Sequence, residues 1–183
     1  MYPDLGKKFC VALIPCNSNY TNIVSFVKEL AKKNSIKFDA SFIPKILLIE
    51  PFSWDEKNEY FLTDSLKKYA SQSVSFELEL SGFVKKNNDF SLKIEENIEL
   101  RNFQKSLKYY LEIHNKIVFE NYSIDSYEPA LCLELNIDTT RKHNKIWKEI
   151  NGNTLNLNFI ANKLHLLHFN SGTWKISNSF ELD

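Results

Sequence analysis

The sequence predicts a single α+β domain over residues 1–183, with two pseudo-symmetric lobes of antiparallel sheet, helices packed outside and a central cleft. Three observations support this fold class. Short apolar or alternating segments typical of strands are interleaved with amphipathic segments typical of helices. The length suits one domain. Residues 9–51 are predicted to form a strand, a helix and a proline-led strand. The same order recurs over 76–135 with an added hairpin, and we interpret the repeat as two similar lobes.

The first lobe is predicted from one apolar run, two amphipathic segments and a second apolar run. Its expected elements are a strand at 9–14, a helix at 22–33, a strand at 45–50 and a helix at 55–69. Thr21 is placed to cap the first helix, because a threonine hydroxyl can accept from free backbone N–H groups there. Pro51 is expected to end the second strand, because proline cannot donate to a sheet.

The second lobe is predicted to begin with a hairpin, and the chain is predicted to close on β structure. The lobe has expected strands at 74–83 and 90–94, a helix at 99–115 and a strand at 130–135; a helix at 141–150 and strands at 155–168 and 174–182 follow it. Gly82 indicates a bulge or bend within the first of these strands. A turn at 170–173 is expected to join the last two strands.

The charge balance excludes some classes of partner. Lysine and arginine together number 23, and aspartate and glutamate together also number 23. This balance argues against a broad surface for duplex nucleic acid or an anionic membrane, while a small basic pocket is compatible with it. No apolar run approaches the ~20 residues that span a bilayer, and the first residues lack a signal-peptide pattern. We therefore expect a cytoplasmic protein without a membrane partner.

The cysteines give no sign of a disulfide framework or a metal site. Cys10, Cys16 and Cys132 are odd in number and have no Cys-x-x-Cys spacing. Such a set is typical of reduced thiols and of neither disulfide-linked nor zinc-binding proteins. We therefore expect no metal and no cofactor.

Two proline-led segments carry a resemblance to a known family. Residues 43–52 read IPKILLIEPF, and residues 128–133 read EPALCL. Together with the ending over 174–182, WKISNSFEL, they resemble in order the two-histidine phosphoesterases of the 2′-5′ RNA ligase-like superfamily. In that family each proline-led strand carries a His-x-Thr motif, and the first is followed by Pro-Phe. The resemblance covers nearly the whole chain.

The resemblance implies a particular chemistry. In the family, two histidines on facing strands bracket a phosphate as base and acid, and each threonine hydroxyl donates to phosphate oxygens. A cleft for 2′,3′-cyclic phosphates or 2′-5′-linked nucleotide ends is therefore expected. In this sequence, however, both His-x-Thr motifs are degenerate, because the four motif positions carry Lys45, Leu47, Ala130 and Cys132. Leu47 and Ala130 can neither move a proton nor donate a hydrogen bond, so the family's mechanism cannot operate as it stands.

Two of the four replacements retain polar chemistry. Lys45 is either a cation that binds phosphate in the cleft or a solvated lysine at the start of a strand. Cys132 is better explained as a small buried residue than as a nucleophile, because no histidine stands at a spacing that would activate it.

The four histidines are the remaining candidates. His165 and His168 lie three apart on a predicted strand, so they point to opposite faces and cannot chelate one metal ion together. Either of them facing the cleft would return one imidazole to it as a ligand-binding group. His114 fits the end of a helix, where the macrodipole favours a cation. His143 belongs to a basic run at 140–145 that is either solvated or in contact with an RNA backbone.

Three hypotheses for function follow. The first is a degenerate two-histidine phosphoesterase fold that binds a phosphorylated nucleotide or an RNA end without hydrolysing it. The second is a protein-interaction module whose former cleft is filled by Leu47 and Cys132. The third is an active cyclic phosphodiesterase that uses displaced groups such as His165 or His168. An open cleft with Lys45 exposed would favour ligand binding, whereas a cleft packed with apolar side chains would favour a protein partner.

Overall fold

The computed structural model describes residues 6–86, 89–119, 127–153 and 155–183. In these ranges the chain forms four α-helices and eight β-strands. In chain order they are β1 (Lys7–Leu13), α1 (Asn17–Lys33), β2 (Ile46–Trp54), α2 (Glu59–Ala70), β3 (Phe76–Lys86), β4 (Asp89–Ile94), α3 (Ile98–Asn115), β5 (Ala130–Cys132), α4 (Thr140–Ile150), β6 (Leu157–Ala161), β7 (Lys163–Asn170) and β8 (Thr173–Glu181). No helix in the described part of the chain is long and apolar enough to cross a membrane.

The eight strands form one antiparallel sheet, and each half contains the strands of one predicted lobe together with part of the closing β structure. The strand order is β6-β3-β4-β5-β2-β1-β7-β8. The first half contains β2, β1, β7 and β8, and the second contains β5, β4, β3 and β6. The two halves meet where Ile46 of β2 pairs with Leu131 of β5. The predicted α+β class with two similar antiparallel lobes is confirmed.

The sheet is curled, because its two ends are brought together by the last strands. Only Asn162 separates β6, at one end of the order, from β7 near the other end. The N–H group of Leu182 donates to the carbonyl of Asn162 at 2.9 Å. The backbone of Asp183 exchanges hydrogen bonds with Ser73 and Ser75 at 2.8 and 2.6 Å. The two ends of the sheet therefore meet at this corner.

All four helices contribute to one core on the same face of the sheet. Phe9 and Val11 of β1 pack there with Ile23 of α1, Leu66 of α2 and other residues of the large apolar cluster. Residues between them in β1 point to the opposite, concave face, as the period of two in a strand requires. A separate small apolar cluster around Cys10 lies on that concave face.

Several predicted boundaries in the first half were wrong. Helix α1 begins at Asn17, with Cys16 in the cap position, and the Thr21 hydroxyl donates within the helix to the carbonyl of Asn17. The first turns of α1 are polar and therefore lack the apolar periodicity on which the prediction rested. Strand β2 continues through Pro51, because the ladder with β1 is irregular between the pairs at Phe9 and Val11. A proline is tolerated at such a bulge because no ladder donor is needed there.

The second half confirmed the hairpin and the bulge but changed two strands. Gly82 has φ +64 at the register shift in the β3–β4 hairpin, a conformation that glycine adopts without strain. Strand β5 ends at Cys132, well before the predicted residue 135. The predicted strand over 155–168 is two strands, which break at Asn162. The break is required because β6 pairs with β3 whereas β7 pairs with β1.

Candidate functional site

The four residues assigned from the sequence to the motif positions lie together on the concave face. Ile46 and Leu131 are paired, and both are fully buried in the core beneath the helices. Their chain neighbours project to the other side of the sheet. These neighbours are Lys45, Leu47, Ala130 and Cys132. The two proline-led strands therefore share one concave surface.

Lys45 reaches this face but is not exposed to solvent there. Its side chain is only 6% accessible, and its ammonium Nζ donates to Oε1 of Glu134, whose side chain is 40% accessible. A buried ammonium needs such a partner, because an unpaired charge away from water is costly. Glu134 was not among the residues selected from the sequence.

Leu47 belongs to an apolar cluster that covers the first half of the face. Cys10, Ala12 and Leu167 are fully buried in this cluster, and Leu47 and Trp174 pack against it. The register explains the grouping, because Leu47 pairs with Ala12 and Cys10 pairs with Leu167. Directly opposite residues in an antiparallel pair share a face. The first motif strand is therefore closed by apolar side chains and one ion pair.

Cys132 is held as a neutral thiol. Its Sγ donates to Oδ2 of Asp89 at 2.8 Å. Burial, with the adjacent Asp89 carboxylate, raises the pKa of the Cys132 thiol to about 12. Burial likewise raises the pKa of the Cys10 thiol to about 12. Because the thiolate is the reactive form, neither thiol is prepared for nucleophilic attack at neutral pH.

The surroundings of Ala130 are open, in contrast to those of Lys45. A cavity of about 550 Å³ lies beside Ala130 at the margin of the sheet, where β4 leads into α3, and its lining includes the cations Lys85, Lys93 and Arg101. Lys93 pairs with Ala130 across the sheet and bonds to the Glu95 carboxylate at 3.0 Å. Glu96 and Glu128 also line the cavity. It is therefore a polar cavity of mixed charge.

The two candidate histidines of β7 lie on opposite faces of the sheet. His165 pairs with Ala12 and so shares the concave face, whereas His168 pairs with Phe9 on the helix side, where the two rings are 6.5 Å apart. His165 is 8% accessible, and its Nδ1 lies 2.9 Å from the Ser179 hydroxyl. Burial and Lys163 lower the pKa of His165 to about 4. Burial also lowers the pKa of His168.

The other two histidines lie outside the concave face. His114 is exposed in the last turn of α3, as predicted, and its ring lies 4.2 Å from that of Tyr110. The placement of His143 in a surface run was wrong, because its side chain is 7% accessible and stacks on Phe90 at 4.4 Å. Its spacing with Ile146 and Ile150, the other buried residues of α4, was the signal that would have identified it as a core residue.

The arrangement brings together few groups that can move protons. Lys45 is bonded to Glu134 and Cys132 to Asp89, while Leu47 and Ala130 have no ionisable atoms. The described residues contain no group of three His, Cys, Asp or Glu side chains suited to a metal ion. Sequence reasoning missed Glu134, Asp89 and Ser179, the partners of the predicted positions. Each of these partners is distant in sequence from the residue it contacts, so no local pattern marks it.

Comparison with known proteins identifies the fold. No family model and no curated protein sequence matches the chain. Solved structures do match. Escherichia coli LigT superposes with TM-score 0.64 at 11% identity over 98% of this chain and 99% of LigT. Thermus thermophilus TT0787 gives TM-score 0.62 at 12% identity, with 96% and 97% covered.

A eukaryotic structure extends the likeness. Usb1 of Kluyveromyces marxianus gives TM-score 0.51 at 13% identity over 97% of this chain and 98% of Usb1. E. coli LigT has been solved in complex with 3′-AMP, ATP, NADP+ and phosphate. At these identities the likeness establishes architecture. The chain has the α+β fold of the two-histidine phosphoesterase superfamily, to which these proteins belong.

Proposed function

We propose that this protein binds a phosphorylated nucleotide or an RNA end on its concave face and does not hydrolyse it. The observation that carries the proposal is the environment of the four motif positions. They lie side by side on this face, and each is either apolar or engaged with an internal carboxylate, which supports a site without acid–base groups at the positions assigned to the motifs.

The absence of hydrolysis follows from what acid–base catalysis requires. A general acid or base works best with a pKa near the operating pH, and each contributes about 10²–10⁴-fold to the rate. The Cys132 thiol, with a pKa of about 12, and the His165 imidazole, with a pKa of about 4, both lie far from neutrality. His168 is on the other face of the sheet. We therefore expect no turnover above the rate in buffer.

The case for a nucleotide rests on the cavity at Ala130 and on the related fold. A volume of about 550 Å³ falls within the ~300–1,000 Å³ typical of small-ligand sites. The mixed charges of Lys93, Arg101 and the neighbouring carboxylates suit the hydroxyl and amide groups of a nucleoside. Nucleotide complexes of E. coli LigT make the same class of ligand the first to test. The proposed binding needs no metal or cofactor. The cytoplasmic location expected from the sequence stays a prediction.

A protein-interaction module is the second candidate, and one observation favours it. Lys45 is buried and Leu47 packs into an apolar cluster. We expected an open cleft with Lys45 exposed for ligand binding and an apolar, packed cleft for a protein partner. The strand of Lys45 and Leu47 is packed with apolar side chains, as expected for a protein partner. The cavity beside Ala130 leaves ligand binding available at the other strand.

Calorimetric titration with 3′-AMP, ATP and 2′,3′-cyclic AMP, alongside an assay for cyclic phosphate opening, separates the hypotheses. Binding of at least one nucleotide without turnover is the expected result. A folded protein that binds none of them would replace the proposal with the interaction module. Turnover that survives repurification and disappears in His165→Gln would show an active enzyme. E. coli LigT provides the comparison protein for both measurements.

A further inference from the structure

The partnership between Lys45 and Glu134 is asymmetric. The ammonium is nearly inaccessible at 6%, whereas the carboxylate is 40% accessible. Glu134 therefore covers Lys45 from the solvent side, and any ligand that approaches Lys45 meets Glu134 first. Once a ligand anion supplies the counter-charge of Lys45, the carboxylate can move into water, because it is already partly hydrated, whereas the ammonium stays buried.

The backbone is arranged to place Glu134 in this position. Its φ is +50, in the left-handed region that residues with a Cβ rarely adopt. Both neighbours are fixed in place, since the N–H of Leu133 donates to the Phe90 carbonyl at 2.9 Å and that of Leu135 donates to Oδ1 of Asp89 at 3.3 Å. The turn after β5 is thus held from both sides, with the carboxylate on the concave face.

From this geometry we infer that Glu134 occupies the place of a ligand's phosphate at Lys45, and that the site takes a terminal phosphomonoester in exchange for this carboxylate. The inference rests on the proposed function and names its ligand class. The nucleoside would extend from Lys45 toward Ala130, whose strand is adjacent in the sheet and which borders the cavity at the end of β4. The phosphate then takes the place of the Glu134 carboxylate at the buried ammonium.

The preference for a monoester follows from charge. A carboxylate and a phosphodiester each carry one negative charge, so their exchange at Lys45 gains little attraction. A terminal phosphate carries about −1.5 to −2 near pH 7 and offers three acceptor oxygens, so it competes better. Asp89 and Glu50 place further negative charge near this face. Removing the charge of Glu134 should therefore strengthen the binding of any phosphate.

The test compares four proteins: the wild type, Glu134→Gln, Lys45→Met and the control Glu181→Gln. Glu181 is matched because it also pairs with a lysine on this sheet face, Lys163, at 2.6 Å, but it does not contact Lys45. Each protein is titrated calorimetrically with 3′-AMP, a monoester, and with 2′,3′-cyclic AMP, a diester. Circular dichroism establishes that each variant is folded.

The expected result is specific to one pair of residues. Glu134→Gln should tighten 3′-AMP binding about tenfold or more, since bonds to charged groups contribute about 1.5–3 kcal/mol, and about 1.4 kcal/mol corresponds to tenfold. Lys45→Met should weaken 3′-AMP binding by at least a similar factor. The 3′-AMP affinity of Glu181→Gln should stay within about twofold of the wild type, and the wild type should bind 3′-AMP more tightly than the cyclic diester.

The outcomes distinguish failure of this inference from failure of the proposed function. Wild-type binding of 3′-AMP that neither Glu134→Gln nor Lys45→Met alters would overturn the exchange while leaving the proposed function intact. If neither the wild type nor a folded Glu134→Gln binds any of these nucleotides, both are wrong. If Glu134→Gln fails to fold, Glu134→Asp is used in its place. Its shorter side chain withdraws the carboxylate from Lys45, so 3′-AMP binding is again expected to tighten.

Discussion

The two proline-led strands occupy equivalent positions in the two halves of the sheet, but the residues at their predicted motif positions have different surroundings. Around Lys45 and Leu47 the space is filled by an ion pair and an apolar cluster. Ala130 borders a polar cavity. A long charged residue buried at this face needs an internal counter-charge, whereas a methyl group does not. One strand is therefore closed and the other is open.

The largest effect is expected at the seam between the halves. Ile46 is fully buried and pairs with Leu131, so Ile46→Ala should lower the free energy of unfolding by about 3 kcal/mol through lost burial and a residual cavity. Leu47→Ala, on the concave face and only partly buried, should cost about 1 kcal/mol. Urea denaturation followed by circular dichroism measures both. Equal losses would show that the concave face is packed as tightly as the core.

The next effect tests the closed strand against the open one. Glu134→Ala should cost about 3 kcal/mol, because it leaves the buried ammonium of Lys45 without its partner. Cys132→Ala removes only a thiol hydrogen bond to Asp89 and should cost about 1 kcal/mol. The same denaturation experiment compares them. If Glu134→Ala is no more destabilising than Cys132→Ala, Lys45 is better hydrated than its burial indicates.

A pH-dependent effect is expected on the closed side. Burial and Lys163 lower the pKa of His165 from 6.5 to about 4. As the pH falls from 6.5 to 4, the unfolded chain binds a proton that the folded protein does not. The contribution of this residue to stability is therefore complete above about pH 6.5 and is lost as the pH falls toward 4. From pH 7 to pH 5 the loss should be about 2 kcal/mol.

The control for this effect is His165→Gln, measured at the same two pH values. The other histidines contribute equally to both proteins, so the wild type should lose about 2 kcal/mol more than the variant. A nuclear magnetic resonance titration of the imidazole gives the pKa directly. A midpoint near 6.5 would contradict the prediction and would make His165 available as a proton-transfer group.

The smallest effect is expected on the open strand. Ala130→His combined with Cys132→Thr should change the free energy of unfolding by less than about 1 kcal/mol, because the new imidazole can extend toward the cavity and find polar partners. The corresponding pair, Lys45→His with Leu47→Thr, should cost more, since it places unpaired polar groups in a packed region. Thermal melts of the two double variants decide the order. A reversed order would break the contrast between the strands.

The sequence was sufficient for the architecture because apolar periodicity follows directly from burial. The strands through Phe9 and Ile46, the helix through Leu107 and the bulge at Gly82 were all predictable on that basis. The neighbouring position of the Lys45 and Ala130 strands followed from the proline-led segments. These features depend either on the local spacing of apolar residues or on the order of strands and helices that the two lobes share.

The details of the site were not predictable, because they depend on contacts between distant residues. Glu134, the partner of Lys45, lies 89 residues away in the sequence. Its contact with Lys45 depends on a left-handed backbone conformation, which is not expected for a glutamate. The break at Asn162 has no proline or glycine to mark it. It exists because one segment pairs with β3 and the next with β1, which only the assembled sheet specifies.

The curled sheet also constrains how this chain is made. Strand β1 pairs on one side with β2 and on the other with β7, where Phe9 meets His168, so partners near opposite ends of the chain must find each other. A ribosome releases β1 and β2 long before β7, and one edge of β1 stays unpaired until β7 has emerged. Long-range pairings of this kind slow folding and leave edges open to association with other chains. During synthesis, the free edge of β1 is therefore a place where this chain is open to association with others.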